Sequence, residues 1–198
     1  MVKVKICGLR RIEDIEYVNE FLPDYGGFVF AKSKRQIDVY SAKKLMENLN
    51  PHTKKVGIFV DENIDIVKRT AETLKLDVLQ FHGSESPEYV NSFKGFTIWK
   101  AAGIKSHGDV LDLNKNFYVH AFVLDSVGGG TGRSFDWQML DGIKFSKPIV
   151  LAGGLNPSNV GCAVEKVKPF CVDVSSGVET DGVKDYMKIK NFIEKVRS

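Results

Sequence analysis

Cysteine is scarce in this chain. Three occur among 198 residues, an odd number with no CxxC spacing. That argues against a disulfide framework or a zinc site and for a reducing, cytoplasmic setting. Long apolar runs are missing too. Nothing approaches the ~18 residues of a membrane span, and the longest uncharged stretch, 148–164, is broken by Gly153-Gly154 and by Asn156-Pro157-Ser158-Asn159. The opening MVKVKICGLRR carries charge and has no apolar segment, so no signal peptide is expected. Excess charge is small: the net value is +3, spread along the sequence. A nucleic-acid binder would need a clustered basic face. The four histidines, His52, His82, His107 and His120, show no ligand spacing and no accompanying carboxylate cluster, so no metal is expected. No low-complexity tract or linker divides the chain, and 1–198 reads as one domain. What remains is a small cytosolic domain with a small-molecule partner.

Short apolar, β-branched runs recur, each followed by a turn and a helix-period stretch. They cover 2–7, 26–30, 55–60, 77–80, 96–102, 119–125, 148–151 and 171–174, starting about 24 residues apart on average, close to one compact βα unit. Between them, Ile64, Val67, Ala71 and Leu74 share one helical face. Val160, Ala163, Val164 and Val167 repeat the pattern, as do Tyr186, Ile189, Ile193 and Val196. Ser86-Pro87 and Asn156-Pro157 each place a capping side chain before a proline suited to the first helical position. Cys162 and Cys171 read as packing residues. Alternating strands and helices imply a parallel sheet. Eight units favour a closed (β/α)8 TIM barrel over an open flavodoxin-like sheet, which would use five or six of these strands.

In such a barrel the active site lies at the C-terminal strand ends. Cys7 ends the first strand, on the same face as Lys3 and Lys5. It is either a small buried hydrophobe or a thiolate base whose pKa Lys5 helps to lower. Asp125 ends the sixth strand and serves either to cap the next turn or as a general acid. Gly128-Gly129-Gly130-Thr131-Gly132 follows it, a flexible turn or a loop that approaches a ligand. Gly153-Gly154 after the seventh strand and Ser175-Ser176-Gly177 after the eighth fit the backbone phosphate site common in these barrels. Arg35, after the second strand, is a solvated charge or a partner for a carboxylate or phosphate. His82 is a ligand contact or a plain loop residue.

Taken in order, Lys5-Ile6-Cys7-Gly8-Leu9, GFVF with its following Ser-x-Arg, VGIFV, QFHG, LDS…GGTGRSFDW, LAGGLNPSNV and DVSSGVE resemble the motifs of the phosphoribosylanthranilate isomerases, barrel enzymes of tryptophan biosynthesis. The resemblance spans nearly the whole chain. It implies an aldose–ketose (Amadori) rearrangement of a phosphorylated substrate without metal or organic cofactor. It implies Cys7 as general base and Asp125 as general acid. It further implies Arg35 near the anthranilate carboxylate, and Gly153, Gly154, Ser175, Ser176 and Gly177 around the phosphate. Asp173 and His82 are further candidates for touching substrate. Two other readings stay open: a related phosphosugar isomerase and a non-catalytic phosphate-binding barrel. Monomer and homodimer are equally compatible with the sequence.

Overall fold

The computed structural model describes residues 1–106, 108–109, 118–126 and 134–198. Within them, β1 (Lys3–Cys7), β2 (Tyr25–Val29), β3 (Lys54–Phe59), β4 (Val78–Phe81), β5 (Thr97–Ile104), β6 (Ala121–Ser126), β7 (Ile149–Leu151) and β8 (Cys171–Val174) pair in sequence order. β8 returns to β1, in register Lys3↔Cys171 through Ile6↔Val174, and every interface around the ring is parallel. That closure excludes the open sheet. The helices are α1 (Ile12–Phe21), α2 (Val39–Glu47), α3 (Ile64–Leu74), α4 (Pro87–Asn91), α5 (Val160–Val167) and α6 (Tyr186–Arg197). After β8 a 3₁₀ turn, Ser176–Val178, leads into a hairpin of β9 (Glu179–Thr180) and β10 (Val183–Lys184).

Strand alternation splits the apolar residues into two cores. Val4, Ile6, Phe28, Leu79, Phe81, Phe122, Leu124 and Val172 point outward and pack with the helices. Tyr25, Val29, Val56, Val78, Trp99, Ala121, Val123, Val150 and Cys171 fill the barrel itself. Tyr25 and Trp99 meet edge to face at 4.8 Å inside it. Truncating a buried aromatic such as Phe122 to alanine removes about 3–5 kcal/mol of stability. The inward positions turn polar toward the strand ends: Cys7 on β1, Gln80 on β4, Asp125 on β6 and Asp173 on β8. One alternating pattern thus builds both the plug and the site.

Local signals fare unevenly. Ser86 caps α4, accepting a hydrogen bond from the Tyr89 N–H at 3.3 Å with Pro87 in the first turn. Asn156 instead opens a turn, accepting from the Ser158 N–H at 2.8 Å. α5 begins one turn later, at Val160, whose N–H reaches the Asn156 carbonyl at 3.1 Å. Cys162 does not pack. It is exposed, because two residues beyond Val160 lies about 200° round the helix from the buried stripe. Cys171 is fully buried as expected. The glycine cluster 128–132 and His107 lie outside the described residues.

Candidate active site

At the C-terminal end of the barrel an open cavity is lined from β1, β2, β3, β4, β6 and β8 and from the loop after β7. Cys7, Arg35, His82, Asp125, Gly153, Gly154, Asp173, Ser175 and Ser176 all line it. Nine of the ten candidate residues therefore converge, from chain positions as far apart as 7 and 176. The tenth, Gly177, is not part of the lining. Its place is set by close approach, since a Cβ there would overlap the Leu155 carbonyl oxygen. Gly177 therefore seats the loop after β8 directly on the loop after β7.

Cys7 sits among charges. Lys5, on the same face of β1 and fully buried, binds Asp173 at 2.6 Å. Burial works against the Lys5 ammonium, but the Asp173 carboxylate and the Cys7 thiolate outweigh it and hold its pKa above the ordinary value. Around Cys7 the balance goes the other way. Burial pushes the thiol up and Asp173 adds to the rise, while Lys5 and Lys184 pull it down without cancelling it. The expected help from Lys5 exists, yet desolvation wins, and the thiol titrates above its usual range.

Asp125, next to last in β6, is buried, its Oδ1 accepting from the Ser126 N–H at 2.7 Å and its Oδ2 3.4 Å from His82 Nε2. The opposing loop must leave room. Gly153 has φ +79°, and a Cβ there would lie 2.5 Å from the Ser126 nitrogen and 2.9 Å from Asp125 Oδ1. His82 is partly exposed, with Gln80 Nε2 3.5 Å from its Nδ1. The backbone after His82 is firmly held. Glu85 accepts from the Asp61 and Gly83 N–H groups at 3.0 Å and pairs with buried Lys100 at 3.0 Å. Two buried acceptors of the lining have no hydrogen-bond partner, Gln80 Oε1 and Asp173 Oδ1. Leaving such a group unpaired costs about 1–3 kcal/mol, so both suit a polar ligand in this cavity.

Ser175 donates its hydroxyl to the Cys7 carbonyl at 3.0 Å. The Gly154 carbonyl accepts from Asn159 Nδ2 at 3.0 Å, bracing the loop after β7. Arg35 is not a solvated charge. Its Nε and Nη2 each reach Glu179 at 2.7 Å, and Glu179 also accepts from buried Lys184 at 2.7 Å. Burial opposes the Glu179 charge, but the hydrogen bonds from Arg35 and the nearby Lys184 ammonium hold its carboxyl down at about 2. Neither Glu179 nor Lys184 stands out in a sequence reading. The signal for them is Asp181-Gly182, a dipeptide favoured in tight hairpin turns, with φ +50° and +77° in the turn that pairs Glu179 with Lys184.

His120 accepts the Ile98 N–H at 3.0 Å and is structural. Among the described residues no group of three or more His, Cys, Asp or Glu side chains is arranged to hold a metal ion. No helix there is long and apolar enough to cross a membrane.

A family model described as N-(5′-phosphoribosyl)anthranilate (PRA) isomerase matches residues 4–195. A protein of that name from Thermoanaerobacter pseudethanolicus is 56% identical over 201 residues, covering 100% of this chain and 98% of that protein. One from Clostridium acetobutylicum is 52% identical over 203 residues, with the same coverage. The crystal structure of phosphoribosyl anthranilate isomerase from Thermotoga maritima superposes with a TM-score of 0.92 at 37% identity, covering 100% of this chain and 99% of that one. A crystal structure of such an isomerase in complex with reduced 1-(o-carboxyphenylamino)-1-deoxyribulose 5-phosphate gives 0.87 at 36%, with the same coverage.

Proposed function

The chain belongs to the N-(5′-phosphoribosyl)anthranilate isomerase family, and from that premise we propose that Cys7 and Asp125 divide the proton transfers of its reaction. The activity is an aldose–ketose isomerisation in tryptophan biosynthesis. N-(5′-phosphoribosyl)anthranilate becomes 1-(2-carboxyphenylamino)-1-deoxyribulose 5-phosphate. The observation that carries the assignment of roles is the placement of a thiol on β1 and a carboxyl on β6 across one cavity.

Asp125, in its protonated form, gives its proton to the furanose ring oxygen. The bond from that oxygen to C1′ breaks, and the anthranilate nitrogen's lone pair forms the C1′=N iminium. Cys7, as thiolate, then takes the proton from C2′, and the electrons of that C–H bond neutralise the iminium to give the enolamine. Tautomerisation to the C2′ ketone, with a proton arriving at C1′ and the C2′ hydroxyl proton leaving, completes an isomerisation with no net oxidation. A thiol raised by burial is a scarce thiolate but a strong base, which suits removal of a carbon-bound proton beside an iminium.

The two ends of the substrate call for two anchors. Gly153, Gly154, Ser175 and Ser176 offer backbone N–H groups to the phosphate, with Gly177 locking their two loops together. Arg35 faces the anthranilate carboxylate. Asp173 and His82 reach the sugar, Asp173 through its unpaired Oδ1. The three free cysteines support a cytoplasmic location, and the partner is this phosphorylated small molecule, not nucleic acid.

The test is to form phosphoribosylanthranilate in situ and follow loss of its anthranilate fluorescence with wild type and Cys7→Ala. Rapid loss with wild type alone supports the scheme. Comparable loss with both would remove Cys7 from it.

A further inference from the structure

Cys7 ends β1 and Arg35 lies in the loop after β2, yet one hairpin outside the residues assigned above connects them. Glu179 and Lys184 are cross-strand partners on β9 and β10. Glu179 grips Arg35 through both carboxylate oxygens, at 2.7 Å each. It shares Oε1 with Lys184 at 2.7 Å. Lys184 donates onward to the Ser175 carbonyl at 3.1 Å, and the Ser175 hydroxyl donates to the Cys7 carbonyl at 3.0 Å. The Glu179 carbonyl is itself held by Lys188 Nζ at 2.8 Å. The stem of Arg35 lies across Gly8, where a Cβ would come within 2.5 Å of Arg35 Cδ. Stem and fork are therefore both fixed.

The geometry of the grip matters. It uses Nε and Nη2, one side of the guanidinium. A guanidinium has five N–H donors in a rigid fork, so the Nη1–Nη2 edge keeps a parallel pair for a second carboxylate. One glutamate between two cations also leaves a net positive charge at the rim of the cavity.

We propose that Glu179 is a positioning residue, which holds Arg35 from one edge so that its other edge is ready for the carboxylate of the anthranilate ring. The role rests on the reading of Arg35 given above. A preorganised fork loses less freedom on binding than a free arginine, so the benefit falls on substrate affinity and not on the proton transfers.

Steady-state kinetics with phosphoribosylanthranilate on Glu179→Gln, Arg35→Ala and the double variant test this, with inorganic phosphate as a competitive inhibitor. Glutamine keeps the size of the side chain but has one acceptor oxygen and no charge. Glu179→Gln is expected to raise KM about fivefold or more with kcat changed by less than about threefold. Phosphate inhibition should stay as in wild type. In the Arg35→Ala background the same change should move KM by less than about twofold, because its effect travels through Arg35. A KM rise in Arg35→Ala with none in Glu179→Gln would overturn the positioning role alone. An equal rise in both backgrounds would do the same. An unchanged KM in Arg35→Ala would overturn the reading of Arg35 and the positioning role with it. Should Glu179→Gln fail to fold, Glu179→Asp keeps the charge beside Lys184. A KM rise that vanishes without Arg35 is again expected, and wild-type KM would overturn the proposal.

Discussion

On the β8–β1–β2 side of the barrel mouth, Lys5, Arg35 and Lys184 are each pinned to a carboxylate at 2.6–2.7 Å. On the β4–β6 side, the corresponding contacts are 3.4 Å from His82 to Asp125 and 3.5 Å from Gln80 to His82. Charge-assisted bonds run at about 2.7–2.9 Å, so the second set is slack. The slack lies in the side chains only, since Glu85 and Lys100 brace the backbone beneath His82. The side that carries the thiol needs a fixed field, because its base works as an anion at a place where burial opposes the charge. The side that carries the acid needs a carboxyl that meets the ring oxygen when the sugar arrives. The same cavity thus pairs a rigid electrostatic wall with an acid that has one oxygen fixed by the Ser126 N–H and the other held only loosely by His82.

The largest test of this contrast is Asp125→Asn. An amide cannot deliver the proton, and kcat should fall about 10³-fold with KM little changed. Activity above a tenth of wild type would assign the acid elsewhere. Gly153→Ala attacks the same side indirectly, by forcing a Cβ against Ser126 and Asp125 at a left-handed position. We expect a drop in kcat of about 10–100-fold and a loss of about 1–3 kcal/mol in urea unfolding. A variant with normal kcat would show that Asp125 needs no such cradle.

On the rigid side the measurement is a pH profile. The thiolate is the active form, so kcat/KM should rise with pH along a limb displaced above the ordinary thiol value of about 8.5 by burial. Asp173 adds to that displacement. Asp173→Asn removes a negative charge from beside Cys7 and should move the limb to lower pH. Movement upward would show that Asp173 acts on Cys7 mainly by holding Lys5 in place. The smallest effect belongs to His82→Asn, which removes a 3.4 Å contact and should lower kcat/KM only about threefold. A hundredfold loss would mean that His82 joins the proton transfers and that the second side is less slack than its distances imply.

Much of this mouth is legible along the chain. Two-residue alternation puts Lys5 and Cys7, Gln80 and His82, and Asp173 and Ser175 on inward faces once the strands are recognised, and β-branched runs mark the strands themselves. The electrostatic wall is less legible, because its partners are far apart: Arg35 meets Glu179 across 144 residues and Lys5 meets Asp173 across 168. No local pattern encodes such a pairing. The sign of the Cys7 shift is hidden for a related reason. It depends on how much water the closed barrel excludes, and that quantity appears only once the ring is complete. The exposure of Cys162 and the late start of α5 escape local patterns because one turn of helix decides which face is buried.

The seat of Gly177 on Leu155 has a consequence for engineering. The loop after β2 leans on the hairpin after β8 through Arg35 and Glu179, and the loop after β4 leans on the one after β3 through Glu85, in each case through a side chain that a substitution can replace. The loops after β7 and β8 share a single backbone contact that tolerates no side chain. A graft of the anion-binding end into another barrel would have to carry 153–155 and 175–177 together, as one cassette.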